Sequence, residues 1–371
     1  MMKLFNQTGN HIVLGFSIAL IIAQSCVEPE AKVNLPEEIR PKNIILMIGD
    51  GMGLAQIQAA RMVSGKALHM EKASTIGLMK THSFDDQITD SGAAGTAMAT
   101  GKKTRNGMIG MSQDSLPQPS LLDIFASQGK TTGIVVSCAV THATPAAFIA
   151  KNVSRSHYEE IAADFMKSPV NVVIGGGRNH FDNRTDGQLL TEQLKINGYQ
   201  VFNSFIDITG NPSKFYLLTD SVHPKTMLEG RGNLLSAGTK LALESLSTNP
   251  GGFFLMVEGS QIDWGGHEND SAYVVSETID FDDAVGLAID FAERTPGTLV
   301  IITADHETGG LSLVGNESGS NKYISLSFAS GDHTPIMVPV MAFGNYAAYF
   351  AGIYDNTELF QRIIDVAGQS N

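Results

Sequence analysis

Short apolar runs recur along the chain, each closed by a glycine or a polar residue: 43–48, 133–137, 170–174, 253–257, 299–303 and 338–343. They are rich in Ile and Val and lack strict apolar–polar alternation, the pattern of strands covered on both faces. Stretches of helical periodicity lie between several of them, at 120–128, 234–246 and 276–292. Strand alternating with helix predicts an α/β sandwich, a central and mainly parallel sheet with helices on both faces. Residues 41–371 read as one domain, with a less regular insertion over the sheet at about 178–231. No internal repeat, heptad seam or low-complexity block interrupts the pattern.

The N-terminal pattern is different. Residues 1–25 carry one charge, Lys3, ahead of the apolar run 12–23. That run has the length of a signal-peptide core and falls short of the ~20 residues a spanning helix needs. Small Ser25 before Cys26, with a polar, turn-prone stretch after it, predicts a lipoprotein-type signal peptide over 1–25 and a lipid anchor at Cys26. Ordinary signal cleavage is the alternative. Residues 26–40, with Pro29 and Pro36 among mixed charges, read as a tether. The expected address is the periplasm or the outer membrane.

Composition narrows the function. At 43% hydrophobic and 17% charged residues, the 371-residue chain is far too apolar to stay disordered. Its 25 Lys and Arg against 38 Asp and Glu, a net charge of −13, supply no grip on a phosphate backbone, so no specific nucleic acid is expected as partner. Two cysteines cannot form a disulfide scaffold, and Cys138 reads as a small buried apolar side chain.

In open α/β sheets ligands bind just beyond the carboxyl ends of the strands, so the residues closing each run carry the chemistry. Run 43–48 is followed by Gly49, Asp50 and Gly51; run 253–257 by Glu258; run 299–303 by Ala304, Asp305 and His306. Three carboxylates and an imidazole delivered to one edge repel one another unless cations sit between them. Metal is the economical explanation. Asp263 and His267 add a pair four apart, which one helical turn would place on one face as chelators, although Gly265 and Gly266 weaken a regular helix there. Any single Asp or His is more commonly a cap or a satisfied core group; the convergence outweighs that. His11, His69, His82, His157, His180 and His223 have no such setting and receive no role.

A second constellation runs from Thr89 to Gly101. Ser91 would stand at the start of a helix of almost entirely small residues, whose amide N–H groups and dipole point at an anion. A capping serine is the commoner use of such a residue. The stretch misses the P-loop spacing, and Ser91 is not in a G-x-S-x-G elbow, which disfavours an ordinary serine hydrolase. A third constellation holds His142, Thr144 and, downstream, Arg155, a side chain able to fork onto two phosphate oxygens.

Six ordered motifs at matching spacing resemble the alkaline phosphatases: N-I-I-L-M-I-G-D-G-M-G, T-D-S-G-A-A, T-H-A-T-P-A, E-G-S-Q-I-D-W-G-G-H, T-A-D-H-E-T-G-G and G-D-H-T. In pattern the chain looks similar to the cold-adapted Antarctic bacterial members of that family. The resemblance implies the family's α/β sandwich and the hydrolysis of phosphate monoesters to alcohol and inorganic phosphate through a phosphoserine. It implies one zinc on Asp263, His267 and His333, and a second on Asp50, Asp305 and His306. Asp50 would bridge to a magnesium also held by Thr144 and Glu258, with Ser91 the nucleophile and Arg155 the phosphate clamp. It also implies a homodimer. His142 and Trp264, behind the magnesium and phosphate positions, occupy places that are Asp and Lys in the enteric bacterial pattern, as they do in the Antarctic form. They bear on phosphate contacts and magnesium affinity. A sulfatase is disfavoured because the C/S-x-P-x-R setting is absent around Ser91. A phosphodiesterase stays open, as does a secreted metal- or phosphate-binding protein without catalysis, against which intact Ser91 and Arg155 argue.

Overall fold

The computed structural model describes residues 40–318 and 321–368, and the expected signal peptide, Cys26 and the expected tether up to residue 39 lie outside the described residues. The strands are β1 (Asn43–Gly49), β2 (Thr75–Lys80), β3 (Thr131–Ala139), β4 (Val172–Gly176), β5 (Gln200–Phe202), β6 (Phe215–Leu218) and β7 (Phe253–Gly259). Then come β8 (Thr298–Thr303), β9 (Glu307–Thr308), β10 (Ser312–Ser318), β11 (Asn321–Ser327), β12 (His333–Thr334), β13 (Val338–Gly344) and β14 (Gly352–Asp355).

Ten of them form one sheet in the order β14-β2-β13-β8-β1-β7-β3-β4-β6-β5. All run the same way except β13, which pairs antiparallel with both β8 and β2. The central strands β1, β7 and β8 are buried along their whole length. Burial on both faces explains why they read as unbroken apolar runs.

Each of the six apolar runs falls within or across a sheet strand. Strands β2, β5, β6 and β14 carried no such signal, being short or only partly covered. The segment 178–231 supplies β5 and β6 to one end of the sheet. The expected helices occur as Leu121–Ser127, Leu234–Leu246 and Ser271–Arg294. Ser120 caps the first of these by accepting from the Asp123 amide, and Asp270 caps the last by accepting from the Ala272 and Tyr273 amides. Among the described residues no helix is long and apolar enough to cross a membrane.

Candidate active site

Four adjacent strands, β8, β1, β7 and β3, end at one edge of the sheet and deliver most of the polar set. Register pairs Ile48 of β1 with Glu258 of β7, so Asp50 emerges one residue past Gly49 beside that carboxylate. Asp305 and His306 follow β8, and His142 and Thr144 follow β3. After β7 the chain turns into the helix Ile262–His267, and the spacing of four brings Asp263 and His267 together despite the two glycines. Their Oδ1 and Nε2 atoms are 3.4 Å apart. His333 arrives by another route: two-residue β12 pairs with β9, setting His333 opposite Thr308. Gly51 lets these elements close up. It sits at φ +74°, and a Cβ there would lie 2.7 Å from Asp263 Cα.

Two donor sets result. In the first, His267 Nε2 and His333 Nε2 stand 3.1 Å apart, and His333 Nε2 is 3.4 Å from Asp263 Oδ1. Both rings pair their Nδ1 atoms with backbone carbonyls, His267 with Gly331 and His333 with Thr89, each at 2.7 Å. A carbonyl only accepts, so each Nδ1 carries a proton, and each Nε2, once it gives up its own proton, has a lone pair to offer a cation. That arrangement suits a cation between them. In the second set, His306 Nε2 is 3.6 Å from Asp50 Oδ1 and 3.2 Å from Asp305 Oδ2. Thr144 Oγ1 donates to Asp50 Oδ2 at 3.4 Å, on the side facing Glu258.

The electrostatics are those of a site short of positive charge. Burial, then Asp305, Asp263 and Glu258, push the Asp50 carboxyl well above its usual range. Burial raises Glu258 to about 7. Burial would raise Asp263 too, but hydrogen bonds from His267 and His333 hold it well below its ordinary value. Its hydrogen bond to Asp263 in turn lifts His267 to about 9. Asp50 Oδ1, Asp305 Oδ2 and Glu258 Oε1 are buried without a hydrogen-bond partner. Orphaned carboxylate oxygens are costly unless they bind cations, and the donor chemistry, imidazole with carboxylate, fits zinc beside a harder ion.

Ser91 opens the helix Ser91–Thr100, all ten residues of which are buried. It does not cap that helix: Asp90 does, accepting from the Ala93 amide at 2.9 Å, so the Ser91 hydroxyl is left for other work. Ser91 Oγ lies 3.3 Å from His306 Nε2. Asp90 also accepts from Arg155 Nη1 at 2.9 Å, and Arg155 Nη2 is 3.4 Å from His142 Nε2.

Comparisons with known proteins show the family. Residues 41–325 match the family model for alkaline phosphatase. The chain belongs to the alkaline phosphatase family. Alkaline phosphatase 4 of Bacillus subtilis is 38% identical over 84% of this chain and 70% of its own length. The Escherichia coli alkaline phosphatase is 30% identical over 86% and 84%. The solved structure of the alkaline phosphatase from the Antarctic bacterium TAB5 superposes with a TM-score of 0.86 at 40% identity, covering 90% of this chain and 99% of that one. A histidine-to-aspartate variant of the TAB5 enzyme is described with Mg bound. As an alkaline phosphatase, the chain is a metal-dependent phosphomonoesterase.

Asp50, Ser91, His142, Thr144, Arg155, Glu258, Asp263, Trp264, His267, Asp305, His306 and His333 lie at this one edge of the sheet. His142 and Trp264 meet edge to face with ring centroids 5.9 Å apart. Burial, then Arg155 and His223, lower His142 to about 3, so its ring is neutral. His223, which the sequence left without a role, packs 4.8 Å from the Trp264 ring and accepts from the Ala139 amide. Two further residues escaped the sequence reading. Asp90 tethers Arg155, and its only signal was its place before Ser91 at a helix start. Thr308 donates to Asp263 Oδ1 and lies 3.2 Å from His306 Nδ1, thereby joining the two donor sets.

Proposed function

We propose that this alkaline phosphatase hydrolyses phosphate monoesters to alcohol and inorganic phosphate through a phosphoserine on Ser91, at a centre for two zinc ions and one magnesium. Asp263, His267 and His333 would hold one zinc, and Asp50, Asp305 and His306 the other. Asp50, Thr144 and Glu258 would hold the magnesium. When bound, the zinc ions supply Lewis acidity for the attacking and leaving oxygens, and the magnesium steadies the surrounding hydrogen bonds.

The protein's own residues do the rest. Ser91 Oγ, freed from capping, forms the new bond to phosphorus as the ester P–O bond breaks and the alcohol leaves. Water then attacks phosphorus, the bond to Ser91 breaks, and phosphate is released. Arg155, held in place by Asp90, and the helix N-terminus offset charge on the phosphoryl oxygens. The observation that carries this reading is the Ser91 hydroxyl, 3.3 Å from His306 Nε2, the ring nitrogen that also stands 3.2 Å from the orphaned Asp305 Oδ2. Ser91→Ala should reduce monoester turnover to less than about a thousandth while bound metal stays close to normal. Unchanged turnover would remove Ser91 from the reaction. Running a diester and a sulfate ester alongside separates the rival hydrolases.

The same reading includes export, supported by the apolar run 12–23, with a lipid anchor at Cys26. It includes a homodimer, supported by family resemblance alone.

A further inference from the structure

Beside Arg155 lies a cavity of about 540 Å³ that the reaction above does not use; Tyr158, Glu159, His180 and Arg184 are among its walls. Strand β4 runs parallel to β3 and next to it, so the helix Arg178–Asp182 that follows β4 starts from the same sheet edge as His142 and brings His180 there. The His180 ring stacks on Tyr158, with centroids 4.8 Å apart and planes 6° from parallel. Both residues are half-buried and line the cavity, so each keeps surface for a ligand. The pair is tied to the phosphate clamp from both sides. Tyr158 opens the helix Tyr158–Phe165 three residues after Arg155, which limits the distance between their Cα atoms to about 11 Å. His180 Nδ1 lies 2.5 Å from the Thr141 hydroxyl, and Thr141 precedes His142, whose Nε2 is 3.4 Å from Arg155 Nη2. Arg184 joins the two elements: its Nη1 donates to Glu159 O at 2.5 Å and to His180 O at 3.1 Å, and its side chain is 6% exposed. Rings fixed in this way need no further ordering when a ligand stacks on them.

We propose that this cavity receives the alcohol half of the ester, and that the stacked Tyr158 and His180 make the enzyme select nucleoside monophosphates over sugar phosphates that lack the base. The separation between the clamp and the ring pair calls for a spacer between phosphorus and the planar group, and a pentose supplies one. Burial, then His223, lower His180, so its ring is uncharged at neutral pH and above and stacks on an uncharged base without a charge to desolvate. Glu159, Glu160 and Asp186 in the same walls disfavour a second anionic group, so a base fits there and a further phosphate does not. This subsite rests on the monoester reading above, with Arg155 as the clamp, and specifies the substrate class of that same site.

The test measures kcat/KM of the full chain, supplied with zinc and magnesium, for adenosine 5′-monophosphate and for ribose 5-phosphate, which has the same ester and no base. The ratio of the two is then compared among the parent, Tyr158→Leu and His180→Gln. Stacking a base on an aromatic ring is worth roughly five- to a hundredfold, so the parent should favour the nucleotide at least about fivefold and each substitution should bring the ratio toward one. A purely structural role would lower both esters alike, and a parental ratio kept in both variants overturns the assignment to this ring pair. A ratio near one in the parent overturns the subsite and leaves the monoester reading standing. No turnover of either ester overturns the monoester reading as well. Should Tyr158→Leu fail to fold, His180→Gln carries the comparison.

Discussion

Asp90 does two jobs with one carboxylate: Oδ1 caps the Ser91 helix, and Oδ2 accepts from Arg155 and from the Gly107 amide. The jobs are separable. Asparagine caps a helix as well as aspartate but carries no charge to hold a guanidinium. Asp90→Asn should therefore keep the melting temperature close to the parent while kcat/KM falls roughly ten- to a hundredfold, the worth of a charged hydrogen bond. Asp90→Ala should lose about 0.5–2 kcal/mol of stability in addition. Equal kcat/KM in Asp90→Asn and the parent would show that Arg155 needs no tether. At this scale the sequence is legible where a residue type is costly by itself, as with Asp50 or His306 at a strand end. It is mute for Asp90 and Thr308, ordinary residue types whose work depends on a partner far along the chain.

The Ser91–Thr100 helix shows what small residues do for a whole element. A Cβ on Gly95 would lie 3.1 Å from Ala147 Cβ and 3.4 Å from Thr144 Cα, so the helix rests directly on the turn that presents Thr144. Gly95→Val should cost about 1–3 kcal/mol by overpacking and shift Thr144 away from Asp50. Its urea midpoint should fall, and turnover should fall by more than the loss of folded protein explains. A midpoint equal to the parent's would mean that the interface yields. Elements buried on both faces, such as β1, β7 and β8, were visible as apolar runs because hydrophobicity alone specifies them. The two-residue pairing of β9 with β12 was not, because so short a ladder has no periodicity, and so the placement of His333 came only from family resemblance.

At the scale of the molecule, the acidic centre links metal, pH and stability. Glu258 is raised to about 7 in the fold, so its ionisation penalises the metal-free fold fully above that pH and is relieved as pH falls toward its ordinary value. His267 is raised to about 9 through Asp263, so its contribution is complete below its ordinary value and is lost as pH rises through about 9. Both act in one direction. The chelated protein should melt at progressively lower temperature as pH rises from about 6 to about 9, and the metal-loaded protein should show a flatter profile. At metal concentrations a hundredfold above Kd, loading should add about 2.7 kcal/mol for each site. Scanning calorimetry of both forms across that pH range checks this, and a chelated protein that gains stability with rising pH would contradict it.

The position of His333 opposite Thr308 also has a consequence for biosynthesis. A ribosome presents Asp50 early and Asp263, His267, Asp305 and His306 much later, but until β12 emerges the donor set of Asp263 and His267 lacks His333. An incomplete nascent chain therefore cannot close this pocket around an ion, and tight loading must wait for maturation, which makes metal retention a marker of finished copies.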